Sequence, residues 1–500
     1  MLPKPTDVFD RDVEWTDLAE FVDSGLPGLR IALVYGRRRQ GKSYLVQRLA
    51  EACGGLYHVA SEQAEALALR RFAESLSEWH SGRPAMGSEN FRDWEMALKE
   101  AADVMAGSAD RKSPLLVLDE FPYLMHETQG LASLVQILYD QRGPGSIGPK
   151  LPLRLILCGS AISVMSDLVS GTKALRGRAL LELRVNPFGY RDARTYWGID
   201  NIQTAFRHNA LLGGTPGYRE LAPDATVPED PAAIGGWLAR NVLRPGVPLF
   251  DEADRVVHED PRIREAGMYA SVLALVAAGE TSPTKVGNLL RRPASSLTHT
   301  FTMLESSGFI QRQQDLLLER RPVITITDPL VRLHHLIIDP YRARLQVGQA
   351  RQVWTRQTHK VSTKIYGPHF ETIAREWLLW HAYDEAGLDL GEIGQSTVPC
   401  REHRTGHEID ALALAPGARP RTAEAPIAFI GEAKCRDRPT GVDELRRLEH
   451  IRELLTAAGH DASAASLGLF SLTGFTDELR TLAGRSGTPL QLIDLAALYG

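Results

Sequence analysis

Only four cysteines occur in the 500 residues, Cys53, Cys158, Cys400 and Cys435, far apart and without a C-x-x-C pair. Neither a disulfide framework nor a zinc finger is indicated, and the expected compartment is a reducing cytoplasm. No uncharged apolar run approaches the roughly 18 residues that a membrane span needs, so no membrane partner is expected. The first residues carry Asp7, Asp10 and Asp12 in place of an apolar signal segment. Positive charge is not in excess: 57 Lys and Arg stand against 62 Asp and Glu, a net −5, which excludes a generally basic coat. Internal repeats and low-complexity tracts are also lacking. What remains is ordinary globular composition, 43% hydrophobic and 24% charged, at a length that suggests about three domains.

The punctuation of the chain changes three times. From residue 29 to about 183, short apolar runs at 31–35, 115–118 and 153–158 alternate with longer amphipathic stretches, the pattern of strands and helices wound around a parallel sheet. Residues 201–263 read as mostly helical. In 264–330, three helical segments (268–278, one opened by Ser282-Pro283, one opened by Pro293) precede two short strands at 309–312 and 323–327. Three helices followed by a two-stranded ribbon predict a winged helix-turn-helix. Residues 331–365 read as a linker. The final part, 366–500, opens with a helix at 370–383. Strands follow near Ser396, Ile409 and 427–433, then helix, strand (467–472), helix and strand (490–495). The fold class is therefore α/β and multidomain, with residues 1–200 as its first domain.

The sharpest motif is Gly36-Arg37-Arg38-Arg39-Gln40-Gly41-Lys42-Ser43, a G-x-x-x-x-G-K-[ST] string between an apolar run and an amphipathic helix that begins near Tyr44. The glycines let the loop curl so that its amides point at phosphates, Lys42 reaches the β and γ phosphates of ATP, and Ser43 supplies a ligand to Mg²⁺. Residues 115–118 lead to Asp119 and Glu120, one to hold magnesium through water and the other to polarise the attacking water. Residues 153–158 lead to Ser160, a candidate γ-phosphate sensor.

These elements resemble the AAA+ and STAND superclass of P-loop ATPases, most closely the archaeal-type ATPase family. Phe9-Asp-Arg11-Asp-Val-Glu14 resembles that family's opening F-x-x-R-x-x-E motif, with Arg11 two positions after Phe9 rather than three. Gly214-Thr-Pro216 resembles the G-x-P motif that caps the nucleotide. Arg176-Gly-Arg178 resembles the family's G-R element, so either Arg178 or Arg176 is a candidate arginine finger. The resemblance implies an ATP-driven homo-oligomer, although a full sensor-2 arginine is not found.

Residues 281–365 hold 13 Lys and Arg against 5 acids, a local +8 that leaves −13 for the rest. A winged helix with that charge is a candidate DNA-binding module. Arg291, Arg292, Ser295, Ser296 and His299 would face nucleic acid, while Leu297, Phe301 and Leu304 face the core, and Arg312, Arg320 and Arg321 would act from the wing.

At the C-terminus, alternation along 427–435 puts Glu432 and Lys434 on one face. Asp410 lies near the start of the preceding strand, and Glu371 in the first turn of the opening helix. This E, D, E-x-K order resembles the PD-(D/E)xK nuclease superfamily, and it also resembles the C-terminal domain that often accompanies archaeal-type ATPases. By that resemblance Asp410 and Glu432, with Glu371, hold Mg²⁺ or Mn²⁺, and Lys434 orients or deprotonates the attacking water. His403, His407 and His450 could be metal ligands, but histidines in such loops are more often solvated, and they are left out of the expected site. The expected function is an ATPase that couples nucleotide state to metal-dependent cleavage of DNA or another nucleic acid, in defence or mobile-element control. The alternative is a STAND-like switch whose C-terminal domain docks a partner.

Overall fold

The computed structural model of the chain describes residues 2–82, 91–107, 114–147, 150, 152–258, 266–319, 322–400, 402–422, 425–485 and 490–500. Strands β1 (Arg30–Tyr35), β2 (Leu56–Val59), β3 (Leu115–Asp119), β4 (Arg154–Gly159) and β5 (Ala179–Arg184) form one parallel sheet in the order β2-β3-β4-β1-β5. The near-continuous apolar runs of β1, β3 and β4 follow from burial on both faces. Ile31, Leu33, Leu116, Leu118, Leu155 and Leu157 pack under helices Glu65–Ser81, Trp94–Ala106 and Leu131–Arg142. Ala32, Val34, Val117, Ile156 and Cys158 point the other way, against helices Asp12–Asp23 and Lys42–Cys53. Strand β5 has one neighbour, β1, and β2 has one, β3, so both edges are single-partnered.

After the sheet the chain becomes helical. Helices Ile202–Leu212, Ile234–Asn241, Pro248–His258 and Ala266–Ala277 share one core with helices Pro283–Leu289 and Thr298–Ser306 and with the antiparallel ribbon β6 (Ile310–Gln313) and β7 (Val323–Ile326). Leu297, Phe301 and Leu304 are buried there, as their spacing predicts. The expected linker at 331–365 is instead folded: it runs through helical segments from Pro329–Leu333 to Ser362–Tyr366 and buries Leu333, Ile337, Ile338, Leu345, Val361 and Ile365. Its apolar residues are interleaved with Arg342, Arg344, Arg351 and Arg356, which hides the periodicity. Arg342 is neutralised in place by Asp251 (2.9 Å) and Asp254 (3.0 Å).

The second sheet has the order β12-β11-β10-β9-β8, from β8 (Ile393–Cys400), β9 (Thr405–Leu414), β10 (Ile427–Lys434), β11 (Ser466–Ser471) and β12 (Leu490–Asp494). Strands β8, β9 and β10 run antiparallel, and β10, β11 and β12 run parallel. Helix Gly367–Trp380 covers one face through Phe370 and Trp377, over Ala411, Phe429 and Phe470. Helix Val442–Ala457 covers the other through Leu448 and Ile451, over Ile409, Leu412, Ile430 and Leu467. The turn that follows β6 does not stand free. Leu316 is buried among the second sheet's core residues, its amide donates to Gln395 O (3.3 Å), and Ser396 Oγ donates to Asp315 Oδ1 (2.7 Å).

Candidate functional sites

Between β1 and helix Lys42–Cys53 the phosphate loop takes the shape its glycines permit. A Cβ on Gly36 would lie 2.3 Å from Val185 O, so the chain passes β5 too closely for any side chain. Gly41, at φ 86°, caps the helix in the left-handed region and turns the helix N-terminus toward the cleft. Lys42 is buried and donates from Nζ to Arg37 O (2.8 Å) across the loop. The cleft has a volume of about 520 Å³, and Gly41, Lys42, Ser43, Tyr44, Glu120 and Pro216 line it. Phe9, Phe188 and Tyr196 form an aromatic cluster on its wall, with centroids 5.1–5.4 Å apart. Arg11 sits in the left-handed conformation, stacks on Phe188 at 4.5 Å and donates to Gln40 O (3.2 Å) and Asn186 O (2.7 Å). Its guanidinium is thus tied to the loop backbone.

Asp119 ends β3 and is only 1% exposed. Its oxygens accept from the Tyr57 hydroxyl (2.7 Å) and the Glu120 amide (2.9 Å). Among the described residues it forms no salt bridge, so a buried carboxyl stands at the strand end next to Glu120, which lines the cleft. That fits a magnesium ion reached through water. Burial, reinforced by Asp119, raises the pKa of Glu120, while Lys42 opposes the rise. Ser160 Oγ donates to Glu120 Oε2 (3.2 Å), bringing the expected sensor to the expected base.

Three arginines depart from expectation. Arg37 turns away from the phosphates: it pairs with Asp328 (2.8 Å) and stacks on Phe309 (4.7 Å), lining a separate cavity of about 650 Å³ that also meets Glu376. Gln40 lines the cleft, and its side-chain oxygen accepts the Arg37 amide at 2.7 Å. Arg39 lines the cleft, but its guanidinium clasps the buried Glu252. Arg38 opens on the cleft as expected. Arg178 precedes β5, at the end of the parallel sheet remote from the phosphate loop, and pairs with Asp140 (3.0 Å). It is not brought to this chain's own nucleotide cleft. Arg176 donates to Gly171 O (2.5 Å) in the same loop.

The C-terminal acids converge. Asp410 Oδ2 on β9 accepts the amide of Ala433 on β10 (2.9 Å), next to Glu432. Glu432 is 2% exposed, and its Oε1 accepts from Lys434 and from Arg447 (2.7 Å). Its Oε2 is buried without a partner. Desolvation, then Glu432 and Glu371, push Asp410 up to about 7. Glu371 is raised mainly by burial, and Glu408 and Glu432 add to that. Buried carboxylates that raise one another's pKa, one with an orphaned buried oxygen, fit a divalent cation. Arg447 and Arg375, which donates to Asp410 O (2.6 Å), complete the site and went unnoticed in the sequence, where nothing distinguishes them from other helical arginines.

On the middle segment, Arg291, Arg292, Ser295, Ser296 and His299 are exposed. Arg312 is not available in the same way, since Glu305 holds it (2.6 Å). Arg320 and Arg321 lie outside the described residues. Finally, Cys400 and the three histidines read as solvated come together: one ligand atom from each of Cys400, His403, His407 and His450 lies within 4.8 Å of the others. The string Cys400-x-x-His403-x-x-x-His407 was the available signal.

No helix among the described residues is long and apolar enough to cross a membrane. Over 411 residues the chain is 24% identical to the uncharacterized protein MJECL04 of Methanocaldococcus jannaschii, covering 81% of this chain and 84% of that one. It is similar to the Walker-type ATPase PABY2304 of Pyrococcus abyssi (18% identity, 66% of this chain, 97% of that chain, TM-score 0.46). It is also similar to the ORC2 protein of Aeropyrum pernix, solved as ADPNP–ADP complexes (16% identity, 72% of this chain, 97% of that chain, TM-score 0.39). Residues 8–200 match the family model of an ATPase domain found predominantly in Archaea; the phosphate loop and its acidic strand end fall within them, while Pro216 of the cleft lies beyond, and this part of the chain has a parallel-sheet P-loop ATPase fold.

Proposed function

We propose that the chain hydrolyses ATP and couples its nucleotide state to metal-dependent cleavage of nucleic acid. In the first site the loop amides and Lys42 bind the phosphates, Ser43 and Asp119 hold Mg²⁺, and Glu120 takes the proton of the attacking water. Magnesium there offsets phosphate charge. Ser160, bonded to Glu120, would sense the γ-phosphate. In the second site Asp410 and Glu432, with Glu371 beside them, bind Mg²⁺ or Mn²⁺, which stabilises the charge on the scissile phosphate, and Lys434 orients the attacking water.

The observation that carries the nuclease reading is the orphaned Glu432 Oε2 beside an Asp410 held protonatable near neutral pH. The exposed face of Arg291, Arg292 and His299 supports nucleic acid as the partner. Coupling is supported by two joints. Arg37, inside the phosphate loop, is paired with Asp328 at the end of the winged-helix-like ribbon, and the ribbon's turn is bonded through Asp315 to Ser396 of the second sheet. Closure of the loop on ATP would pull on the first joint, and the ribbon would pass the change to β8.

The test is cleavage of plasmid and single-stranded DNA with Mg²⁺ or Mn²⁺, with and without ATP, for the unmodified chain, Asp410→Ala and Lys434→Ala. Cleavage that needs metal and disappears in both variants is expected. Cutting that survives both substitutions removes the nuclease assignment. A second reading, a nucleotide switch that docks a protein partner through the second sheet, is favoured by the Lys434 and Arg447 contacts that already compensate Glu432 Oε1. ATP binding without any metal-dependent cutting would select it.

A further inference from the structure

We infer that Cys400, His403, His407 and His450 form a zinc site that fastens the β8–β9 hairpin to helix Val442–Ala457. Cys400 is the last residue of β8, His403 lies in the hairpin turn, His407 is on β9 and His450 is on the helix. Two chain segments remote in sequence therefore supply one cluster.

The distances are those of a coordination sphere. Zinc bound tetrahedrally at about 2.3 Å from sulfur and about 2.0–2.1 Å from nitrogen puts its ligand atoms roughly 3.3–3.6 Å apart. Cys400 Sγ lies 3.2 Å from His403 Nδ1 and 3.4 Å from His450 Nε2. The three imidazole rings are mutually near-perpendicular, at 81°, 84° and 88°, with centroids 5.4–5.5 Å apart. Rings that pack for apolar contact alone have no reason to gather their nitrogens about one point. His407 Nε2 is buried and has no hydrogen-bond partner. The His403 amide donates to Cys400 Sγ (3.4 Å), so the sulfur meets two imidazole nitrogens and an N–H.

The donor set selects the metal. One thiolate and three imidazoles favour zinc over magnesium or calcium, which prefer oxygen. All four positions belong to the protein, so the site is closed, and its role is structural rather than that of a catalytic zinc with an open position. It is also distinct from the carboxylate site. The two are neighbours: Arg447, which holds Glu432, is on the same face of the helix as His450 and three residues before it. Fastening His450 to the hairpin therefore fixes the helix that carries Arg447. Because ligands on the hairpin and the helix meet only in the folded domain, zinc binding adds to its folding free energy.

The test starts with the full chain purified from zinc-supplemented culture, desalted, and assayed for metal by mass spectrometry. One zinc per chain is expected, and loss of it is expected in Cys400→Ser/His450→Ala, while Asp410→Asn/Glu432→Gln keeps it. Nucleotide binding by the phosphate loop reports whether each variant is folded. As an independent readout, chelator-stripped unmodified chain is titrated with Co²⁺. Intense visible d–d bands together with a thiolate-to-cobalt charge-transfer band are expected at one equivalent, with a higher melting temperature on re-adding Zn²⁺. A chain that takes up no stoichiometric zinc, or a double variant that retains it, overturns the inference. So does a cobalt form without the thiolate band.

Discussion

At both candidate sites acids lie near a lysine, and the two sites are built on opposite principles. At the phosphate loop the working groups are mostly backbone: Gly36 and Gly41 set the curve, and Lys42 rests on a carbonyl of its own loop. At the second sheet the working groups are buried side chains: burial, with repulsion from Glu432 and Glu371 added to it, raises Asp410, and one Glu432 oxygen is orphaned. The first site is preorganised before any ligand arrives. The second is electrostatically unfinished, and in the proposed function a cation would complete it. The first should therefore fail through geometry and the second through charge.

The largest expected effects are at the first site. Lys42→Ala should abolish nucleotide binding in a fluorescent-ATP titration. Glu120→Gln should bind ATP normally but turn it over about 10²–10⁴ times more slowly, the range for loss of a general base. Persistent turnover in Glu120→Gln would remove the base assignment. At the second site, Glu432→Gln keeps the shape and removes the charge, and should cut metal-dependent cleavage by about a hundredfold or more while leaving ATP hydrolysis intact. If ATP hydrolysis fell in parallel, the two sites would not be separable in the way their construction suggests.

Next in size is the joint between them. Arg37 and Asp328 are both buried, and Tyr218 donates to Asp328 at 2.8 Å. Breaking one partner of such a pair typically costs about 3–5 kcal/mol, because the other charge stays buried. Arg37→Ala should therefore lower the melting temperature, and Arg37→Met with Asp328→Leu should recover part of the loss. The sharper readout is coupling: in the double variant ATP should no longer alter cleavage. ATP-dependent cleavage that persisted there would assign coupling to the Arg39–Glu252 contact instead.

How much of this could be read beforehand depended on whether a feature was compelled locally. The phosphate loop was legible because amide-lined curvature demands glycine at fixed spacing. The E-x-K face was legible because a strand alternates. Strands β2 and β5 were not: β2 has four residues, and β5 alternates half-buried and exposed positions at a sheet edge. Missing β5 concealed the fact that Arg178 stands at the wrong end of it. Arg37, Arg38 and Arg39 read as cofactor-binding from their place in the phosphate loop, but the turn aims Arg37 at Asp328. The +8 segment overstated its free charge, since Arg312 and Arg342 are paired internally. Cys400 and His450 met only because a sheet and a helix brought them together.

The smallest effect is the one that most directly reads the unfinished charge. The pKa of Asp410 is raised in the folded chain from its ordinary 3.8 to about 7. Without metal, its contribution to stability is greatest below pH 3.8 and is lost as pH rises toward 7, since the folded state holds the proton more tightly than the unfolded state does. A divalent cation competes with that proton, so Mn²⁺ affinity should tighten as pH rises toward 7, by at most about tenfold per unit, and level off above. Calorimetric Mn²⁺ titrations between pH 5.5 and 8, run in two buffers of different ionisation enthalpy, would measure both the slope and the proton released. Asp410→Asn should flatten the slope and weaken binding. The ATP site offers the contrast, because Lys42 opposes the raised pKa of Glu120 and Ser160 donates to its carboxylate, so ATP affinity should show no matching dependence. An Mn²⁺ affinity that did not change with pH would mean that Asp410 ionises fully before the metal binds, and that Lys434 and Arg447 already balance the site.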